Sequence, residues 1–191
     1  PGHTLLRTLT AEAAAPKKAP ASAGNGKTPK VAVIVPCYNL GRYLRACLLS
    51  VIHQTYQNFE ILVVNPTSPD NTVQVVQQLQ REFPDKALRM LTIAHLGQPA
   101  YARNAGMADT SAEYILCLDA DDLLAPAMLE KTVFALDQLP EASIAFTDFQ
   151  CFESKGNVEY TGPFDLESLA HRNTIAVCSL YRRKMAEAVG G

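Results

Sequence analysis

Five residues with mostly apolar side chains, Tyr114 to Leu118, run without interruption into Asp119, Ala120, Asp121 and Asp122. Carboxylates crowded beside an apolar run repel one another and lose hydration, which is costly unless something cationic compensates. In extended backbone, side chains two positions apart point the same way. Asp119 and Asp121 are therefore expected to address one site while Asp122 faces elsewhere. Two acids converging at a strand end suit a hard divalent cation that completes its shell with substrate phosphates. The competing reading is an acidic turn whose Asp122 caps the helix that follows.

Two further segments carry polar groups at similar places. The run Val31–Val35 stops at Pro36 and presents Tyr38 and Asn39 at its tip. Tyr38 offers a flat face on which a base can stack, and Asn39 a paired donor and acceptor; the alternative is that Pro and Asn simply end the strand. In the segment 97–106, a helix start made of small residues carries Arg103 and Asn104. The planar fork of Arg103 matches a phosphate or the acidic cluster equally well, whereas an isolated helix arginine is usually a solvated charge. The four histidines, His3, His53, His95 and His171, are dispersed and receive no role.

The elements that must position these residues follow from hydrophobic periodicity. Residues 31–35, 60–64, 88–93, 114–118 and 143–147 read as strands, and the first, second and fourth are almost continuously apolar, as parallel strands covered on both faces are. Leu44, Cys47, Leu48, Val51 and Ile52 mark one helical stripe. A second helix is expected to open at Ser68-Pro69-Asp70 and carry Val73, Val76 and Leu79, a third opens near Pro99, and a fourth at Pro126 carries Met128, Leu129, Val133 and Leu136. Strand and helix alternate, so the class is α/β: a mostly parallel, Rossmann-like sheet flanked by helices, with ligands at the carboxyl ends of its strands.

The chain has 191 residues, 48% of them hydrophobic, enough for one substantial core. A net charge of -2 gives no basic field of the sort that nucleic-acid backbones require, so nucleic acid is not expected as a partner. Five scattered cysteines lack metal-ligand spacing and read as reduced thiols, which fits a cytoplasmic location. No apolar run is long enough to span a membrane; a place at its inner face would have to come from regions outside this chain. Residues 1–28, rich in Ala, Pro and Lys, have linker composition or are the tail of an upstream region, and 29–191 form the domain.

Taken in order, these segments resemble the opening of family-2 glycosyltransferases: strand, Pro36-Cys37-Tyr38-Asn39, helix, Ser50 to Tyr56 in the pattern SxxxQTY, and a second strand. The run from Ala100 to Pro126 is similar to the part of that family that holds its DxD element, and residues 173–191 resemble a later segment leading towards the catalytic acid. The resemblance implies a GT-A fold, a nucleotide-diphosphate sugar donor, and Mn²⁺ or Mg²⁺ as cofactor. It places Asp121 on the metal, Asp119 on the metal or the donor's ribose, and Pro36, Tyr38, Asn39, Asn65, Arg103 and Ala120 around the nucleotide sugar. The implied chemistry is direct displacement with inversion at the anomeric carbon, on a glycan, lipid-linked or protein acceptor.

Two departures qualify that expectation. Where the family usually has Asp-Asp-Gly-Ser after the second strand, this chain has Asn65-Pro66-Thr67-Ser68, without a carboxylate to meet a base. The general base is expected beyond Gly191, leaving the domain short on its acceptor side. A dehalogenase-type phosphatase also follows an apolar strand with DxD, but near its domain start; a sugar-1-phosphate nucleotidyltransferase needs a Gly-rich loop where this chain has only Gly41. A non-catalytic module that binds a nucleotide or a partner is the remaining alternative.

Overall fold

The computed structural model describes residues 29–94, 98–151, 158–159, 165–171 and 175–190; the expected linker, 1–28, lies outside them. Four successive βα units open the domain: β1 (Val31–Pro36) and α1 (Gly41–Ile52), β2 (Phe59–Asn65) and α2 (Thr72–Glu82), β3 (Leu88–Thr92) and α3 (Pro99–Ala108), β4 (Tyr114–Cys117) and α4 (Met128–Gln138). There follow β5 (Ile144–Ala145), β6 (Phe149–Gln150), β7 (Val158–Glu159), α5 (Leu166–His171), β8 (Leu180–Arg182) and α6 (Arg183–Val189).

The main sheet runs β3-β2-β1-β4-β8-β5, with β1 to β4 mutually parallel and β8 antiparallel to both its neighbours. A short antiparallel pair, β6 and β7, stands apart. The strands alternate faces with period two. Val31, Val33 and Val35, with Ile61, Val63, Tyr114 and Leu116, join the core shared with α1, α2 and α4. Ala32, Ile34, Leu62, Val64, Ile115 and Cys117 pack against Ala102, Ala105 and Met107 of α3. The result is the expected three-layer α/β/α arrangement.

Gly106 lets α3 lie close on the sheet, since a Cβ there would sit 2.5 Å from Ile34 Cγ2 and 3.2 Å from Val64 Cγ2. Because β1 to β4 point the same way, the connections 37–40, 66–71 and 118–127 all emerge at one carboxyl edge.

Three expectations change. The strand foreseen over 143–147 shrinks to Ile144–Ala145, and β8, not foreseen, is inserted between it and β4. Arg182 explains the insertion: its amide donates to Ser143 O at 3.0 Å, and its guanidinium donates to Leu136 O at 2.6 Å and Ala142 O at 2.8 Å, fastening β8 to the α4–β5 corner. The second helix opens at Thr72: Ser68 is drawn into a loop contact with Asn39, and Asp70 stays outside the helix while accepting from the Thr72 amide at 3.1 Å.

Candidate functional site

The acids after β4 do not sit in extended backbone. Ala120 and Asp121 turn, and the Asp122 amide donates to Asp119 O at 3.0 Å, closing a tight turn at the sheet edge. The alternation argument for Asp119 and Asp121 therefore fails in its premise; a turn, with φ/ψ unlike a strand's, gathers the acids instead. Asp122 is no helix cap either, since α4 begins six residues later. Although Asp122 lies at the exposed tip of the turn, partial desolvation of its carboxyl, and then the charges of Asp119 and Asp121, raise it above its ordinary range. Ala120 turns its methyl into the core, fully buried, so any donor contact there falls to its backbone.

Arg103 comes across from α3 and donates from Nη2 to Asp119 Oδ1 at 2.7 Å, resolving the choice left open for that side chain in favour of the acid, with phosphate still within its chemistry. Its Nε is buried with no acceptor. A buried N–H without a partner is uncommon and costs about 1–3 kcal/mol, which sets this atom apart beside the acids.

The neighbouring connections build a second wall. Pro36 ends β1; Tyr38 is exposed, and Asn39 adopts a left-handed φ of 57°, which asparagine tolerates. The Asn39 amide donates to Ser68 Oγ at 2.5 Å, and the Ser68 amide donates to Asn65 Oδ1 at 2.7 Å. Asn65 is almost wholly buried, its Oδ1 taken up by the Ser68 turn and its Nδ2 directed at Met90 Sδ at 3.9 Å. Asp70 accepts from the Gly41 amide at 2.7 Å and from Thr72 Oγ1 at 2.6 Å. Desolvation alone would raise its pKa, but donation from Thr72, Gly41 and Ser68 outweighs it and holds the carboxyl at about 2. Thr67, β-branched yet at φ 57°, stores backbone strain at the tip of this loop.

The two walls flank one place. Burial raises the Cys37 thiol, and the next charges acting on it are those of Asp70 and Asp121; Cys47 is raised by burial and then by Cys37 and by Asp122, Asp121 and Asp119. The structure therefore brings Pro36, Tyr38, Asn39, Arg103, Asp119, Ala120 and Asp121 to a common edge, with Asn65 beneath it. Among the described residues no three His, Cys, Asp or Glu side chains converge as a closed metal site. Two acids with open positions are what a cation shared with a diphosphate needs. All five cysteines are free thiols.

Sequence reasoning missed two sets of residues. Ser68 and Asp70 were read as a helix start, and Ser50 and Gln54 entered only as part of the SxxxQTY pattern, without a role of their own. The available signal was their spacing: Ser50 and Gln54 stand four apart beside the apolar stripe of α1, and one of them, Gln54, is 2% exposed.

Comparison with known proteins gives the family and the fold. The model of the family described as "Glycosyl transferase family 2" matches residues 32–190. Glycosyltransferase GlyG of Streptococcus pneumoniae is 34% identical over 144 residues, covering 73% of this chain and 47% of the relative. The uncharacterized glycosyltransferase YibD of Escherichia coli is 33% identical over 139 residues, covering 72% and 39%. This chain thus spans about half the length of such relatives or less. Among solved structures, Staphylococcus aureus TarS 1–349 in complex with UDP superposes with a TM-score of 0.70 at 21% identity, covering 84% of this chain and 48% of that one. The mannosyltransferase PcManGT of Pyrobaculum calidifontis, in complex with GDP-Man and Mn²⁺, gives 0.68 at 23% identity, covering 92% and 51%. The fold is of the GT-A kind, and the chain belongs to glycosyl transferase family 2.

Proposed function

We propose that residues 29–191 are the donor-binding half of an inverting, metal-dependent glycosyltransferase that takes its sugar from a nucleotide-diphosphate sugar, a UDP-sugar in the first instance. The observation that carries this reading is the acidic turn at the end of β4, faced by a guanidinium with an unpartnered Nε. Complexes of its structural neighbours with UDP and with GDP-Man and Mn²⁺ support it.

In this reading Asp121, exposed at the turn, and Asp119 hold Mn²⁺ or Mg²⁺. Such a cation supplies neutralisation of the charge that grows on the departing diphosphate. Arg103 orients Asp119 through its ion pair, and its unpartnered Nε donates to a diphosphate oxygen. Tyr38 stacks on the base, Pro36 and Asn39 shape the nucleotide side, and Asn65 acts from beneath by fixing the Ser68 turn. An acceptor hydroxyl of a glycan, lipid-linked glycan or protein then attacks the anomeric carbon opposite the diphosphate, its proton taken by a carboxylate outside residues 1–191.

Titration of UDP by calorimetry, with and without Mn²⁺, tests the proposal. Binding that requires Mn²⁺ and disappears in Asp121→Ala supports it. The second reading, a non-catalytic nucleotide- or partner-binding module, is favoured by the inward-turned Asn65 and by Pro66. Metal-independent binding, or no binding of any nucleoside diphosphate, would select that reading.

A further inference from the structure

The exposed tip of the acidic turn, Asp121 to Leu123, is held at both ends by the same helix. On its near side, Asp119 O accepts a hydrogen bond from Cys47 Sγ of α1 at 3.6 Å. On its far side, the Leu124 amide donates to Ser50 Oγ at 3.0 Å, and that hydroxyl donates in turn to Cys47 O at 2.7 Å. Gln54, just past the end of α1, then binds three groups with one amide: Nε2 donates to Ser50 O at 3.0 Å and to Ala125 O at 2.8 Å, while Oε1 accepts the Leu129 amide at 3.0 Å. The Thr55 amide adds a bond to Pro126 O at 2.9 Å.

This arrangement is more than packing. The N-terminus of α4 has no capping side chain of its own, and the amide of Leu129 in its first turn finds its acceptor in Gln54. Gln54 thereby fixes where the turn ends and where α4 begins, and Ser50 fixes the first residue after the acids. A loop that must hold like charges close together is more easily spread when its ends are released, leaving the Arg103 ion pair and the Asp122-to-Asp119 turn bond to oppose the repulsion.

We infer that Gln54, with Ser50, is a positioning pair that sets the geometry of Asp119 and Asp121 from the opposite side of the loop, touching neither metal nor donor. The inference rests on the donor-site reading above. It predicts a fault in metal-dependent binding, not merely in stability, when the amide is replaced by an apolar side chain of the same length.

The test titrates UDP into the whole chain at fixed and at rising Mn²⁺, for the parent, Gln54→Met and Ser50→Ala, with a thermal melt of each. The expected result is a loss of about tenfold or more in UDP affinity for Gln54→Met at limiting Mn²⁺, recovered in large part at saturating Mn²⁺, and a smaller loss of the same kind for Ser50→Ala. Should Gln54→Met fail to fold, Ser50→Ala alone carries the test, since it removes one tie and leaves the amide in place. Variants that melt earlier but bind Mn²⁺ and UDP like the parent would overturn the positioning role while leaving the donor site standing. A parent that binds no UDP with Mn²⁺ would remove the donor-site reading itself and this inference with it.

Discussion

At the scale of single residues, the site consists of acids that would be unfavourable neighbours without a counter-charge. Removing Arg103 leaves Asp119 without its ion pair, so Arg103→Ala is expected to weaken Mn²⁺-dependent UDP binding at least tenfold. Arg103→Lys, a point charge without the fork, is expected to recover only part of it; equal affinity for all three in calorimetry would exclude a phosphate contact. Asp70 gives the pH-dependent prediction. Its carboxyl titrates at about 2 in the fold against an ordinary 3.8, so its stabilisation is complete above the ordinary value and disappears as pH falls through that interval. Asp70→Asn should therefore be less stable than the parent at pH 7, by about 1–3 kcal/mol for the loss of charge-assisted bonds. The difference should close towards pH 2, as denaturant melts across that range would record.

At the scale of elements, close approach decides more than propensity. Gly106→Ala forces α3 away from Ile34 and Val64 and is expected to cost about 1–3 kcal/mol, read as a lower denaturation midpoint. The central elements were legible in sequence because their burial is two-sided or striped: Val31 to Val35 and the stripe from Leu44 to Ile52 could hardly serve elsewhere. What was not legible depends on partners far along the chain. Arg182 inserts β8 by bonding to carbonyls around 136–142, a contact no local period encodes. Ser68 reads as a cap until Asn39, 29 residues earlier, is seen to claim its hydroxyl. The acidic cluster itself was plain from composition, but its turn was not, since alternation presumes a strand that ends at Cys117.

At the scale of the whole molecule, the fold places its polar groups at one edge of a sheet whose interior is apolar on both faces. No helix among the described residues is long and apolar enough to cross a membrane. The chain spans about half the length of its curated relatives or less; on the proposed reading, in which the acceptor side lies outside residues 1–191, these residues are expected to bind donor with metal while transferring sugar poorly. Robust transfer to a glycan acceptor by this chain alone would refute that division. The central claim is that the acids closing β4 grip a cation shared with a diphosphate. A crystal structure of the chain with UDP and Mn²⁺, phased to locate manganese by its anomalous signal, tests it most directly. The account predicts one manganese peak bonded to Asp121, with diphosphate oxygens completing its shell and Arg103 alongside; manganese bound elsewhere, or UDP seated with this turn unengaged, would contradict it.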